Sequence, residues 1–136
     1  MLEKIMNRYS EYHPKKNSNF IEIPNDKGDS LWIEFDGEIT LLHGDWHCHY
    51  PCEDMDDLEE VMHVMDSILK NQECHLEFYY DGKLVGSGSM YQKEKYTEEE
   101  VISFLEDFLG VSVFGEVTVH FAYWDSSKDY EMILNV

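Results

Sequence analysis

The chain is short of positive charge. Its 136 residues hold 10 lysines and arginines against 29 acids, a formal net charge of -19. Between Lys27 and Lys70 there is no basic residue, yet twelve acids stand there, from Asp29 to Asp66. A surface of that sign repels phosphate, so the term that dominates nucleic-acid affinity is missing. Stacking aromatics without a basic groove do not replace it. Nucleic acid is therefore disfavoured as a partner, and basic proteins or cations are favoured. The same acidity also serves solubility, because excess carboxylates keep a small protein from associating.

Cysteine is scarce and odd in number: Cys48, Cys52 and Cys74. Three thiols make no disulfide framework, and a reducing cytoplasm is the simplest compartment. No apolar run is long enough to cross a membrane, and Met-Leu-Glu-Lys-Ile-Met-Asn-Arg-Tyr at the start has no signal-peptide run. The expectation is a cytoplasmic protein with no membrane contact. GxSxG, HExxH and EF-hand patterns are all missing, so no catalytic residue and no cofactor is assigned. Gly86-Ser87-Gly88-Ser89 is glycine-rich, but it leads to Met90-Tyr91 rather than to a helix start backed by lysine. A bulged or closely approached strand is the better reading.

What is present is material for a core: 43% apolar and 14% aromatic residues. The length predicts a single domain over 1–136. Leu2, Ile5, Met6 and Tyr9 follow helical spacing, and His13-Pro14 should end that helix. Residues 15–19 read as a polar connector and 19–23 as a first strand. Leu31–Phe35 and Glu38–Leu42 flank Asp36-Gly37, a signal for a tight type I′ hairpin. The second strand is expected to run on to about Tyr50, with a bulge at Gly44. A helix follows from about Asp54 to Lys70, its stripe made by Met55, Leu58, Val61, Met62, Met65, Ile68 and Leu69. Asn71 can close it.

The pattern then recurs. Residues 75–80 and 83–91 flank Asp81-Gly82. Thr97 and Glu100 form a capping box for a helix with Val101, Ile102, Phe104, Leu105 and Phe108 inward and Gly110 as its stop. Residues 116–124 alternate, and Tyr130–Val136 pairs back across 125–129. Hairpins outnumber βαβ units, so the fold class is α+β: a largely antiparallel sheet built from hairpins, with helices packed on one face.

Two segments carry candidate chemistry. In a continuous strand His43, Asp45, His47 and His49 share one face. With Cys52 they supply the ligand types of a zinc site, although no second ligand pair stands at a familiar spacing. His63 lies near Glu59, Glu60 and Asp66 along a helix, where a carboxylate can orient a general base. An exposed helical pair is the simpler account. The second segment is the helix start, where Asp54, Asp56 and Asp57 suit the positive end of the helix dipole.

In size, hairpin-and-helix pattern and acid-rich middle, the chain resembles the small acidic immunity proteins that neutralise bacterial toxins. The resemblance is one of class, spread over the whole chain and carried by no single motif. It implies binding rather than catalysis: a negative surface that occludes a basic site such as a nuclease's, and is steered to it. The expected contact residues are Glu53, Asp54, Asp56, Asp57 and Glu60, with His47 and His49 beside them. The alternatives are a metal-binding protein or metal-dependent enzyme centred on His43–Cys52, and an interaction module whose charge serves solubility.

Overall fold

The computed structural model describes residues 2–91, 96–109 and 115–136. The chain falls into two compact units, Met1–Lys70 and Asn71–Val136. Each has its own antiparallel sheet, so the α+β class holds, with two sheets in place of one.

The first unit opens with α1 (Leu2–Arg8), continued by a 3-10 turn at Ser10–Tyr12. His13, at φ 54°, ends it in the left-handed region just ahead of Pro14. Five strands then form a meander: β1 (Lys15–Lys16), β2 (Phe20–Ile23), β3 (Leu31–Phe35), β4 (Ile39–His43) and β5 (Trp46–Tyr50). β1 falls in the segment expected to be a connector; its two lysines pair with Ile21 and Glu22 at the sheet edge. Lysine on an edge strand discourages further strand addition.

The Asp36-Gly37 hairpin forms, but with a three-residue connection. Phe35 faces Ile39, and Asp36 N–H donates to the Glu38 carbonyl at 3.0 Å. Positive φ falls on Gly37 alone, at 73°, so this is not a type I′ turn. Asp81 (φ 51°) and Gly82 (φ 74°) do have the two positive values a type I′ turn needs.

The larger correction lies at Gly44. The strand does not bulge there; it reverses. Gly44 and Asp45 are the two residues of a hairpin, and His43 faces Trp46 across it. Positive φ on Gly44 (59°) and not on Asp45 is the pattern of a type II′ turn.

α2 (Met55–Leu69) follows, capped by Asp54. Leu58, Val61, Met62, Met65, Ile68 and Leu69 are buried as the periodicity requires. Met55 departs from that stripe: it is 54% exposed. It is the first helical residue, and a helical side chain leans toward the N-terminus, where no earlier turn covers it. Asn71, at φ 58°, ends the helix as expected. A polar clamp ties α1 to α2. Arg8 donates to Asp66 at 2.6 Å, and the buried Tyr9 hydroxyl contacts Asp66 Oδ1 at 2.8 Å and the Met62 carbonyl at 2.9 Å. Burial pushes the Asp66 carboxyl up, but the bonds from Arg8 and Tyr9 outweigh it and leave it below the usual aspartate value.

The second unit has the strand order β7-β6-β8-β9, from β6 (Glu73–Tyr80), β7 (Lys83–Tyr91), β8 (Glu116–Ala122) and β9 (Tyr130–Asn135). α3 (Glu98–Leu109) lies between β7 and β8 in sequence. Its capping box forms: Glu100 N–H donates to Thr97 Oγ1, and Thr97 N–H to Glu100 Oε1, both at 3.2 Å. Val101 and Leu105 are fully buried with Leu76, Phe78, Val117, Val119 and Phe121. Ile102 and Phe104 pack against that cluster. The Phe108 side chain and the expected stop at Gly110 lie outside the described residues.

The glycine-rich run is mid-strand, as read. Tyr79 faces Leu84 and Phe78 faces Gly86, which leaves Val85 as the extra residue of a bulge. A Cβ on Gly88 would stand 2.5 Å from Phe104 Cζ, so the glycine is what lets the helix ring approach the strand. Gly88→Ala should therefore destabilise the fold by about 1–3 kcal/mol through overpacking. Urea midpoints check this, and an unchanged midpoint would mean the ring moves freely.

Candidate functional site

The hairpin at Gly44 decides the fate of the histidine segment. Directly opposed residues of an antiparallel pair share a sheet face. One face carries Ile39, Leu41, His43, Trp46, Cys48 and Tyr50. The other carries Thr40, Leu42, His47 and His49. His47 and His49 do share a face, their rings 5.3 Å apart and edge-on. His43 is on the opposite face and only 4% exposed, while Asp45 sits in the turn. The expected ligand set of His43, Asp45, His47, His49 and Cys52 is therefore not brought together. Among the described residues no group of three or more His, Cys, Asp or Glu side chains stands where it could hold a metal ion.

His49 is used within the sheet. Its Nδ1 lies 3.0 Å from Thr40 Oγ1 and 3.0 Å from Glu38 Oε1. His63 is exposed on α2 and forms no carboxylate pair among the described residues; Asp66 is engaged by Arg8 and Tyr9 instead. Cys74 is buried, and that burial pushes its thiol up to about 11, which keeps it protonated and a poor nucleophile.

The acidic helix start is different. Asp54 Oδ1 accepts from Asp57 N–H at 3.0 Å. Asp57 Oδ2 accepts from Glu53 N–H at 2.8 Å and from Asp54 N–H at 3.2 Å. These two carboxylates build the helix N-terminus. Asp56 and Glu60 make no hydrogen bond or ion pair among the described residues, and both are exposed. The neighbouring cations are taken: Lys4 by Glu59 at 2.8 Å and Arg8 by Asp66. The start of α2 thus presents Glu53, Asp56 and Glu60 to solvent, with Met55 exposed in its first turn.

Beside this surface lies a cleft of about 510 Å³. Leu2, Phe35 and Cys52 give it an apolar wall, and Glu3, Asp36 and Glu38 edge it with carboxylates. Neither this cleft nor the exposure of Met55 was legible from periodicity. The acid pairs at the helix start were, because three aspartates in four residues before an apolar stripe mark a helix N-terminus.

Compared with known proteins, the chain matches no family model, no curated protein and no solved structure. What can be said of function therefore rests on the residues themselves.

Two outcomes follow for this region. Asp54→Ala should cost about 1 kcal/mol, the usual worth of an N-cap. Asp56→Ala should stay within about 0.5 kcal/mol of wild type, as a surface change does. Equal losses in urea titrations would mean the two acids are not divided between capping and presentation. The second outcome concerns pH. Burial lowers the affinity of His43 for its proton, and the nearby Asp29 only partly restores it. The unfolded chain then binds the proton more tightly, so the His43 contribution is complete above about pH 6.5 and is lost as pH falls through the lower folded value. The stability gap between wild type and His43→Gln should accordingly narrow from pH 7.5 to pH 5. A gap constant across that range would show that His43 does not carry the effect.

Proposed function

We propose that this chain is a binding protein that docks the acidic first turn of α2 onto a basic protein partner. In its specific form it is an immunity-type protein that covers the positively charged active site of a toxin such as a nuclease. The observation that carries this reading is the pairing of unpartnered, exposed carboxylates with an exposed apolar side chain at one place. Asp56 and Glu60 form no ion pair among the described residues, and Met55, next to Asp56 at the start of the same helix, is 54% exposed. Long-range charge brings a basic partner in, and a flexible thioether supplies adaptable contact area once it arrives.

The division of labour among the acids narrows the expected contact set. Asp54 and Asp57 serve the helix backbone, so Glu53, Asp56 and Glu60 are the carboxylates available to a partner. His47 and His49 stand on a sheet face and form no hydrogen bond or ion pair with those carboxylates among the described residues.

The test is capture of a partner from lysate, followed by association kinetics across a salt series. Reversing Glu53, Asp56 and Glu60 to lysine together should slow association by about tenfold or more. Asp57 is kept, because its loss would unmake the capping box and confuse binding with folding. Rising salt should slow the wild type toward the variant, since exposed charges are screened within about 8–10 Å at moderate ionic strength. A partner that is itself acidic, or association indifferent to both salt and reversal, would refute the reading.

A further inference from the structure

The outer face of the first sheet holds a second feature that the helix start does not explain. Register places Glu22, Trp32, Leu42 and His47 in one cross-strand row. Phe20, Glu34, Thr40 and His49 form the next. The opposite face of these strands buries Ile21, Ile23, Leu31, Ile33, Ile39 and Leu41 completely. On the outer face Phe20, Trp32 and Leu42 remain only half-buried. The Phe20 and Trp32 rings pack at 5.4 Å.

A groove of about 310 Å³ opens beside Trp32, lined also by Leu42, Gly44, Ser30 and the exposed Asp29 and Glu34. That volume is at the bottom of the small-molecule range of roughly 300–1,000 Å³, so a single side chain fits it better than a larger ligand. None of its lining residues is basic. Gly44 leaves room for Asp29: a Cβ there would stand 3.0 Å from Asp29 Oδ2, and its φ of +59° also favours glycine. The turn that separates the histidines thus leaves room for a carboxylate in the groove that Trp32 also lines.

We propose that this groove receives an arginine side chain of the basic partner, with the guanidinium against the Trp32 indole and between the Asp29 and Glu34 carboxylates. Charge complementarity and the aromatic wall select that occupant. A guanidinium is planar, stacks on an indole and forks toward carboxylates, whereas an ammonium is a strongly hydrated point charge. The inference rests on the reading of the chain as a binder of basic proteins and deepens it by naming a side chain and its seat.

The probe is the blocked tripeptide acetyl-Gly-Arg-Gly-amide, titrated into the full chain and followed by the indole N–H signals in NMR. Trp32→Phe assigns the relevant signal among the three tryptophans. The arginine peptide should move the Trp32 signal saturably, and the same peptide with neutral citrulline should not. Asp29→Asn with Glu34→Gln should weaken the response about tenfold or more, as loss of charge-assisted hydrogen bonds does. The Glu53, Asp56 and Glu60 reversals lie elsewhere and should leave it in place. No saturable movement, an equal response to citrulline, or indifference to the Asp29 and Glu34 changes would each overturn the groove proposal. If Trp32 responds as expected while partner association ignores the α2 reversals, the groove stands and the helix-start reading falls. If Trp32 is silent while those reversals slow association, the reverse holds.

Discussion

An excess of nineteen negative charges on 136 residues sets the terms for everything else in this protein. Lysine and arginine are too few to pair with the acids, so many carboxylates find their partners in the backbone. Asp54 and Asp57 satisfy the free N–H groups at the start of α2. Glu100 does the same for α3 at Thr97. Asp125 accepts from Ser127 N–H at 3.0 Å, and Asp129 from Tyr123 N–H at 2.7 Å, to hold the turn between β8 and β9. Backbone donors at helix starts and turns are unpaired by geometry, so an acid placed there removes an unsatisfied group and gains a favourable dipole. Among the rest, Glu53, Asp56 and Glu60 at the start of α2 and Glu34 on the outer face of the first sheet are left facing solvent.

Two of the ten lysines and arginines tie α1 to α2. Lys4 and Arg8 both stand on α1, and both reach across to acids of α2. The Arg8, Tyr9 and Asp66 cluster adds a buried hydroxyl to the ion pair, and Asp66 holds its charge there against the cost of partial burial. A charge-assisted pair of this kind gives a fixed position to a helix of only seven residues, which in isolation would be too short to persist.

Much of this was readable from residue order. Helix boundaries followed from capping residues and apolar spacing, as at Asp54, Thr97 and Asn71. The Asp81-Gly82 hairpin, the last strand pair and the close approach at Gly88 followed from turn chemistry and from glycine within a strand. The failures have physical reasons. A bulge is expected at Gly44 because strand-forming residues stand on both sides of it, yet the apolar phase shifts from odd positions (Ile39, Leu41) to even ones (Trp46, Cys48, Tyr50) across Gly44-Asp45, and Gly-Asp between two such runs is itself a two-residue turn signal. That single turn moved His43 to the buried face and dissolved the expected ligand set. Met55 satisfied the helical period but not the packing, since periodicity does not register where a core ends. The Arg8 to Asp66 contact spans 58 positions, and no local pattern announces it. The division into two sheets was equally invisible, because hairpin signals specify neighbours and not the extent of a sheet.

The meander of the first unit bears on how the chain assembles in time. Every strand from β1 to β5 pairs only with its neighbours in sequence, across connections of at most seven residues. The entropy of closing a loop grows with its length, so each of these pairings can form as soon as its two strands exist. The second unit is built otherwise: β6 lies between β7 and β8, and its pairing with β8 must wait until β7 and α3 have been made. During synthesis the first sheet can therefore zip up hairpin by hairpin, while the second stays open along one edge of β6 until late in the chain.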